Sequence, residues 1–415
     1  MAALQVRDYR LFLSGQVVAT TGLWMQRIAQ DWLVLELTGS VTAVGIAVAL
    51  QFLPVLLFGL AGGVLADRYP KRILLIITQS IAALVAITLG GLALSGAVEA
   101  WHVYLMAAVL GFVTVVDNPT RQVFVAELVG DEHIRNAVSL NSSVFQLGAL
   151  LGPALSGLLI HAVGQGWSFL LNGLSCLFVV VLLTQISARP PVPASASQAS
   201  QGEQLTEGLH HIRRTSEVGW TIVLVTVMGI FGLNMPVILA AFADDVFTAG
   251  VGGYSLFNCL AAVGALAGAL LSARRRGVVR LRALVASLSI LGALLMLASV
   301  APQMWLFGAL LVAVGLMNLM FLTGANSLVQ MATGSQLRGR VMSVYILVLL
   351  GGQSIGSPLV GWLIDSFGAR PSMLLCGGVV TLAALVSGLA MARTSHLTLT
   401  LDVHQGRAPL HIVHT

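Results

Sequence analysis

The stretch "GGVLADRYPKR", Gly62 to Arg72, joins two long apolar runs and decides the reading of the whole chain. Two adjacent glycines at the end of a hydrophobic segment let helices approach backbone to backbone. Asp67 follows, an acid set among Arg68, Lys71 and Arg72. A turn between membrane spans needs the basic residues for topology but gains nothing topological from the acid. Asp67 is therefore expected to pair, with Lys71 or with Arg121 at the end of a later span. Asp117, one turn before Arg121, shares its helix face.

The runs on either side of this loop extend the pattern through the chain. Its residues are 57% hydrophobic and 9% charged, against about 25% charged in soluble domains, and the mean hydropathy is +0.93. A spanning helix needs about 20 apolar residues. Spans are expected near 9–36, 42–66, 73–95, 101–121, 137–160 and 166–187, then near 218–243, 252–273, 280–300, 303–328, 341–364 and 370–392. The fold class is all-α integral membrane, with 12 transmembrane helices as two pseudo-symmetric six-helix bundles. The first bundle covers 1–187 and the second 218–394. Between them 188–217 reads as a cytoplasmic linker, rich in Pro, Ala and Ser, and 395–415 as a cytoplasmic tail. "MAALQVRDYR" leads directly into the first span, without the pattern of a cleaved signal.

With both termini cytoplasmic, every Lys and Arg except Arg27 and Arg370 falls on the cytoplasmic side or its loops. The net charge of +5 is thus topological, and no nucleic-acid partner is expected. Cys176, Cys259 and Cys376 lie singly in three runs, without metal or redox spacing. No metal site is expected. Sliding the chain by 204 residues lays Gly148 on Gly352, Gly152 on Gly356, Gly157 on Gly361 and Gly164 on Gly368. Spans 5–6 recur as spans 11–12, so the bundles should be parallel repeats about an axis normal to the membrane.

The loop at Gly62 to Arg72 resembles the cytoplasmic signature of the major facilitator superfamily. Gly63, Leu65, Asp67, Arg68, Lys71 and Arg72 stand at matching positions, and Pro70 replaces a usual glycine. The resemblance implies a conformational latch between spans 2, 4 and 11, built on Gly63, Asp67, Arg68, Lys71, Arg72, Asp117 and Arg121. "DNPTRQVFVAELVGDEHIRNAVSLNS" (117–142), "WMQRIAQDWLVLELTGS" (24–40) and "RGRVMSVY" (338–345) resemble the branch of enterobactin exporters and macrolide-efflux proteins. "GALLGPALSG" (148–157) is similar to the span-5 motif of proton-coupled antiporters: Gly148, Gly152, Pro153 and Gly157 match, while Ser156 replaces one glycine. Pro153 removes a hydrogen bond to the Ala149 carbonyl and favours a bend.

Proton coupling requires a titratable group within the membrane. Asp31 and Arg27 lie one turn apart inside span 1, and intramembrane charges are functional candidates by default. A movement that changes their separation or hydration would take up or release a proton. By resemblance, a substrate cavity lies at the midplane, with Trp24, Gln26, Gln30, Phe231, Asn234, Asn318 and Phe321 as its candidate contacts. Asn234 and Pro236 also suggest a break in span 7. The expected protein is a bacterial inner-membrane exporter of amphipathic small molecules (drugs, antibiotics or siderophores), monomeric in the bilayer, driven by the proton gradient without a cofactor. A metabolite importer or a lipid flippase would share the fold, and a transport-dead sensor remains a weaker alternative. An enzyme is disfavoured, because the nine histidines scatter over loops and tail.

Overall fold

The computed structural model describes residues 2–130, 132–186, 210, 212, 214–274, 279–334, 337–394, 397–401 and 410–414. The linker expected at 188–217 falls largely outside the described residues. Twelve helical segments follow in order: α1 Arg7–Thr38, α2 Val41–Arg68, α3 Lys71–Leu94, α4 Ala100–Val129, α5 Ile134–Val163 and α6 Gln165–Gln185. The second set is α7 Ser216–Val246, α8 Gly250–Arg274, α9 Leu281–Ser299, α10 Met304–Ala332, α11 Arg338–Phe367 and α12 Ala369–Thr394. Among the described residues, 11 of these are long and apolar enough to cross a membrane. The remaining one, α1, has the length at 32 residues but carries Arg27, Asp31 and Glu36 in its run. In the tail, β1 (Leu397–Leu401) pairs antiparallel with β2 (Leu410–His414), an element the sequence reading did not foresee.

The ends of the helices divide the bundle by charge. One end carries Arg7, Arg10, Arg68, Lys71, Arg72, Arg338 and Arg340, and is called the basic end below. The opposite, far end carries Glu36, Glu99, Asp244, Asp245 and Asp365, with Arg370. Large apolar side chains such as Leu84, Leu174, Leu297 and Leu382 stand exposed on the periphery, where a bilayer rather than water is the fitting solvent.

The internal repeat is visible in the packing. A single glycine joins α5 to α6 and α11 to α12: Gly164 at φ 94° and Gly368 at φ 88°. That left-handed backbone excludes a side chain without strain, which explains why this pair keeps the 204-residue register. Gly148 and Gly152 seat α5 on Thr20, Thr21 and Trp24 of α1, and Gly352 and Gly356 seat α11 on Gly229 and Ile230 of α7. One turn further, each seam changes partner and crosses to the other half. A Cβ on Gly157 would meet Ser255 of α8 at 2.5 Å, and one on Gly361 would meet Thr42 of α2 at 2.7 Å.

Span 7 is broken where Asn234 and Pro236 suggested. Its hydrogen bonding widens at Met228–Gly232, where the Leu233 N–H donates to the Met228 carbonyl, and helix resumes at Met235. The freed carbonyls find side chains: Asn234 Nδ2 donates to Ile230 O at 2.5 Å, and Gln353 Nε2 of α11 donates to Leu233 O at 3.4 Å. In a membrane such repair is obligatory.

Helices α8 and α10 meet backbone to backbone. A Cβ on Gly315 would fall on the Ala261 carbonyl, one on Gly264 on the Val312 carbonyl, and one on Gly268 would stand 2.6 Å from Leu316 O. Gly315→Val must push these helices apart and is expected to cost about 3 kcal/mol or more. Thermal unfolding of the purified protein checks this. Gly91→Val, where no atom lies within 4 Å of the added Cβ, is the control that should leave the midpoint nearly unchanged.

Candidate functional site

At the far end the two halves are locked. Asp365, near the end of α11, accepts four hydrogen bonds from the start of α2: Ser40 Oγ at 2.7 Å, Val41 N at 2.9 Å, Thr42 N at 3.0 Å and Thr42 Oγ1 at 2.6 Å. The carboxylate thus caps the first turn of a helix in the opposite half, at the positive end of its dipole. Deeper in, Ser354 Oγ donates to Ala49 O at 3.2 Å and Cys259 Sγ to Leu150 O at 3.6 Å. These bonds between the halves all lie away from the basic end. At the basic end, a Cβ on Gly63 would meet no atom within 4 Å, and Asp67 and Arg68 stand exposed. The conformation is closed at the far end, while at the basic end this stretch of α2 stands open.

Asp31 lies inside the closed region. Its side chain is buried and accepts a hydrogen bond from Tyr254 Oη of α8 at 2.9 Å. Tyr254 has no exposed surface, and its ring stacks on Trp32 with centroids 6.0 Å apart. Trp32 Nε1 in turn donates to Glu36 Oε1 at 2.6 Å, and Gln165 donates to the other oxygen of Glu36. The carboxylate of one half is therefore held by a hydroxyl of the other. Arg27 is not its ion-pair partner, since the ion pairs among the described residues are Lys71–Glu127 and Arg121–Asp117. The Arg27 guanidinium sits 5.0 Å above the Trp24 ring, with Nε buried and unpartnered.

The remaining cavity candidates separate. Gln30 is buried with Nε2 unpartnered, and Asn318 Oδ1 is likewise unpartnered on α10. Trp24 turns toward α5, its ring edge-on to Phe145 at 5.7 Å. Three candidates make contacts within the protein in this conformation. Gln26 Oε1 accepts from Asn172 Nδ2 at 2.5 Å and so ties α1 to α6. Asn234, besides repairing α7, accepts from Ser357 Oγ at 2.6 Å. Phe321 has no exposed surface. In this conformation Asn234 and Phe321 are taken up by packing, and the Gln26 carbonyl oxygen is given to Asn172. Phe231 stays half-buried in the broken part of α7.

The span-5 motif forms the seam described above. Ser156 fills its missing glycine and donates to Met25 O at 3.0 Å, which pins α5 to α1. Pro153 is buried within the continuous helix α5.

The latch residues do not assemble here. Asp117 is fully engaged within its own half, accepting from Arg121 Nη2 at 2.5 Å, Thr78 Oγ1 at 2.9 Å and Gln79 Nε2 at 3.0 Å. Lys71 pairs with Glu127 at 3.3 Å, not with Asp67. Arg72 caps the end of α6 through the Leu183 and Thr184 carbonyls, both at 2.7 Å. Gly62 meets the Val115 backbone of α4 closely. A latch to span 11 needs Asp67 to engage α11, and among the described residues neither ion pair involves Asp67.

A cavity of about 600 Å3 lies between α10 and α11 toward the basic end. Thr323, Asn326, Ser327 and Gln330 of α10 face Tyr345, Ile346, Leu349 and Leu350 of α11 across it. Sequence reasoning missed these residues, and also Tyr254 and Asp365. The α10 group was visible as polar residues at i, i+3, i+4 and i+7 in "TGANSLVQ", the signature of a polar stripe on one helix face. Tyr254 and Asp365 gave no periodic signal, because each matters only through its partner in the other half.

A model of the family described as transmembrane secretion effector matches residues 1–402. The chain is 25% identical to the enterobactin exporter EntS of Shigella boydii over 91% of its own length and 92% of that protein. It is 29% identical to the staphyloferrin A transporter of Staphylococcus aureus over 42% of this chain and 44% of that one. Its fold is similar to a bacterial homologue of the human lysosomal transporter Spinster, in an inward-facing and unoccupied conformation, with a TM-score of 0.74, 14% identity and coverage of 94% and 98%. The nucleoside transporter NupG is similar with a TM-score of 0.72 and 11% identity, over 93% of this chain and 99% of that one.

Proposed function

The chain belongs to the transmembrane secretion effector family and is a transporter of the major facilitator type, and from that premise we propose that it exports amphipathic small molecules, siderophores among them, in exchange for protons. The relatives named as an enterobactin exporter and a staphyloferrin A transporter support the substrate class. The positive-inside rule assigns the basic end to the cytoplasm. On that assignment the conformation described is the one open to the cytoplasm, from which an exporter loads.

The observation that carries the proton coupling is the hydrogen bond from Tyr254 Oη to the buried Asp31 carboxylate, across the interface that must part for release. Closing the far end buries Asp31, and taking a carboxylate out of water is costly even where a hydroxyl holds it. A proton taken up from the far side removes that charge during closure. Its departure toward the basic side restores the carboxylate that Tyr254 holds. An empty, deprotonated carrier therefore stays closed at the far end, which is what prevents uncoupled return.

Everted membrane vesicles test this reading. Catecholate and hydroxycarboxylate siderophores and macrolides are offered to the exposed cytoplasmic face. An acidic lumen is expected to drive accumulation of at least one class, and collapsing ΔpH to stop it. Movement that ignores ΔpH, or that runs out of the lumen with the protons, would replace the export reading with a facilitator or an importer.

A further inference from the structure

The cavity between α10 and α11 has a chemistry of its own. None of its lining side chains carries a charge at neutral pH. Its volume of about 600 Å3 falls in the range of small-molecule sites, roughly 300–1,000 Å3. The wall on α10 is polar and only partly satisfied from within the protein. Gln330 Nε2 donates to Asn326 Oδ1 at 2.6 Å, which leaves the Gln330 side-chain Oε1, the Asn326 amide hydrogens and the Ser327 hydroxyl to meet a ligand. Thr323 is already spent on Leu319 O and Ser272 Oγ. The facing wall on α11 is aliphatic, with Tyr345 closing one side through its bond to Leu322 O at 3.4 Å. A stripe of neutral donors and acceptors opposite a branched apolar wall fits a molecule with one polar edge and one greasy face.

Position matters as much as chemistry. Asn326 stands six residues from the basic end of α10, whereas Asp31 is 24 residues along α1 from that end. At 1.5 Å per residue the two levels differ by about 27 Å along the bundle. A ligand in the cavity and a proton on Asp31 do not touch.

We propose that the α10–α11 cavity is the docking site for the transported molecule in the far-closed state, that it selects uncharged amphiphiles carrying amide, carbonyl or hydroxyl groups, and that it is separate from the proton site. The proposal rests on the export reading only in calling the ligand a substrate. Proton and substrate then exchange through the movement of the two halves and not by competition for one carboxylate.

The experiment measures equilibrium binding to the purified full chain in nanodiscs. Radiolabelled chloramphenicol, an uncharged amphiphile with an amide and two hydroxyls, is the probe, and tetraphenylphosphonium is the cationic counter-probe. Chloramphenicol is expected to bind saturably, and tetraphenylphosphonium at least about tenfold more weakly. Gln330→Leu, close to isosteric, and Ser327→Trp, which fills the cavity, should each weaken chloramphenicol at least about tenfold through unpaired polar groups or lost volume. Leu385→Trp on the exposed periphery should leave its Kd within about twofold, since additivity holds for distant sites. If Ser327→Trp is not monodisperse, Gln330→Leu carries the comparison. Absence of saturable binding, a Gln330→Leu variant with unchanged Kd, or tighter binding of the cation would each overturn the proposal. Binding that obeys these expectations without ΔpH-driven export in vesicles would keep the site and remove the antiport reading. Intact export with binding indifferent to Gln330→Leu would do the reverse.

Discussion

Asp31→Asn abolishes transport driven by ΔpH while leaving the protein folded: that is the expected result with the largest effect on activity. Asparagine has nearly the shape of aspartate, and its Oδ1 can still accept the Tyr254 hydroxyl, so the α1–α8 contact at 2.9 Å survives. What it cannot do is bind and release a proton. The rate of ΔpH-driven accumulation should fall by at least about a hundredfold, because an intramembrane carboxylate with this placement has no neighbour able to replace it as a carrier. Substrate counterflow, which needs the alternating movement but no net proton transfer, should persist. Tyr254→Phe removes only the hydroxyl and should act differently. The carboxylate loses its cross-half donor, the empty carrier is no longer held, and proton leak without substrate should rise. Full ΔpH-driven transport in Asp31→Asn would sink the assignment of Asp31 as the proton carrier.

Asp365→Ala has the second large effect, on the balance of conformations. It deletes four hydrogen bonds that cap α2 from the other half. The carboxylate is exposed, so each bond is discounted for solvent competition, and the set is worth about 2 kcal/mol in total. That amount shifts a two-state equilibrium about thirtyfold toward the state open at the far end. Spin labels on cysteines placed at Leu37 and Phe367, both exposed near the far end, read the change as a growing long-distance population. An unchanged distance distribution would exclude Asp365 as the clamp. The same helix pair carries Asp67 at its opposite end, exposed and unpaired among the described residues in this state. The resemblance to the family latch implies that Asp67 engages α11 when the basic ends meet. A carboxylate at each end of the α2–α11 pair would then favour one of the two conformations.

Much of the fold was legible because its cause is local. Twelve runs of apolar residues, a cationic bias confined to one side, and glycines repeating at an offset of 204 residues are properties of the chain as a string. Each follows from the bilayer as solvent, which demands internally satisfied backbones and asymmetric loops. Gly164 and Gly368 are the clearest instance: a one-residue turn in the left-handed region permits little else. The break at Asn234 was legible for the same reason, and the asparagine side chain mends the helix it interrupts.

Partnership was not legible, since it depends on which faces oppose each other across the two halves. Sequence placed Arg27 beside Asp31 because one helical turn separates them. The folded chain gives Asp31 to Tyr254, 223 positions away, and leaves Arg27 over Trp24. It gives Asp117 to α3 and to Arg121, and withholds Asp67 from both. The sequence by itself determined the twelve spans, their orientation bias, the duplicated seams and an ionisable residue inside the membrane. Only the tertiary structure decided that the far end is shut, that Asp365 and Tyr254 shut it, and that the polar stripe of α10 borders a cavity. Spans are set by hydropathy and backbone chemistry along one segment, whereas a gate or a cavity is set by the relative placement of rigid helices that no single segment encodes.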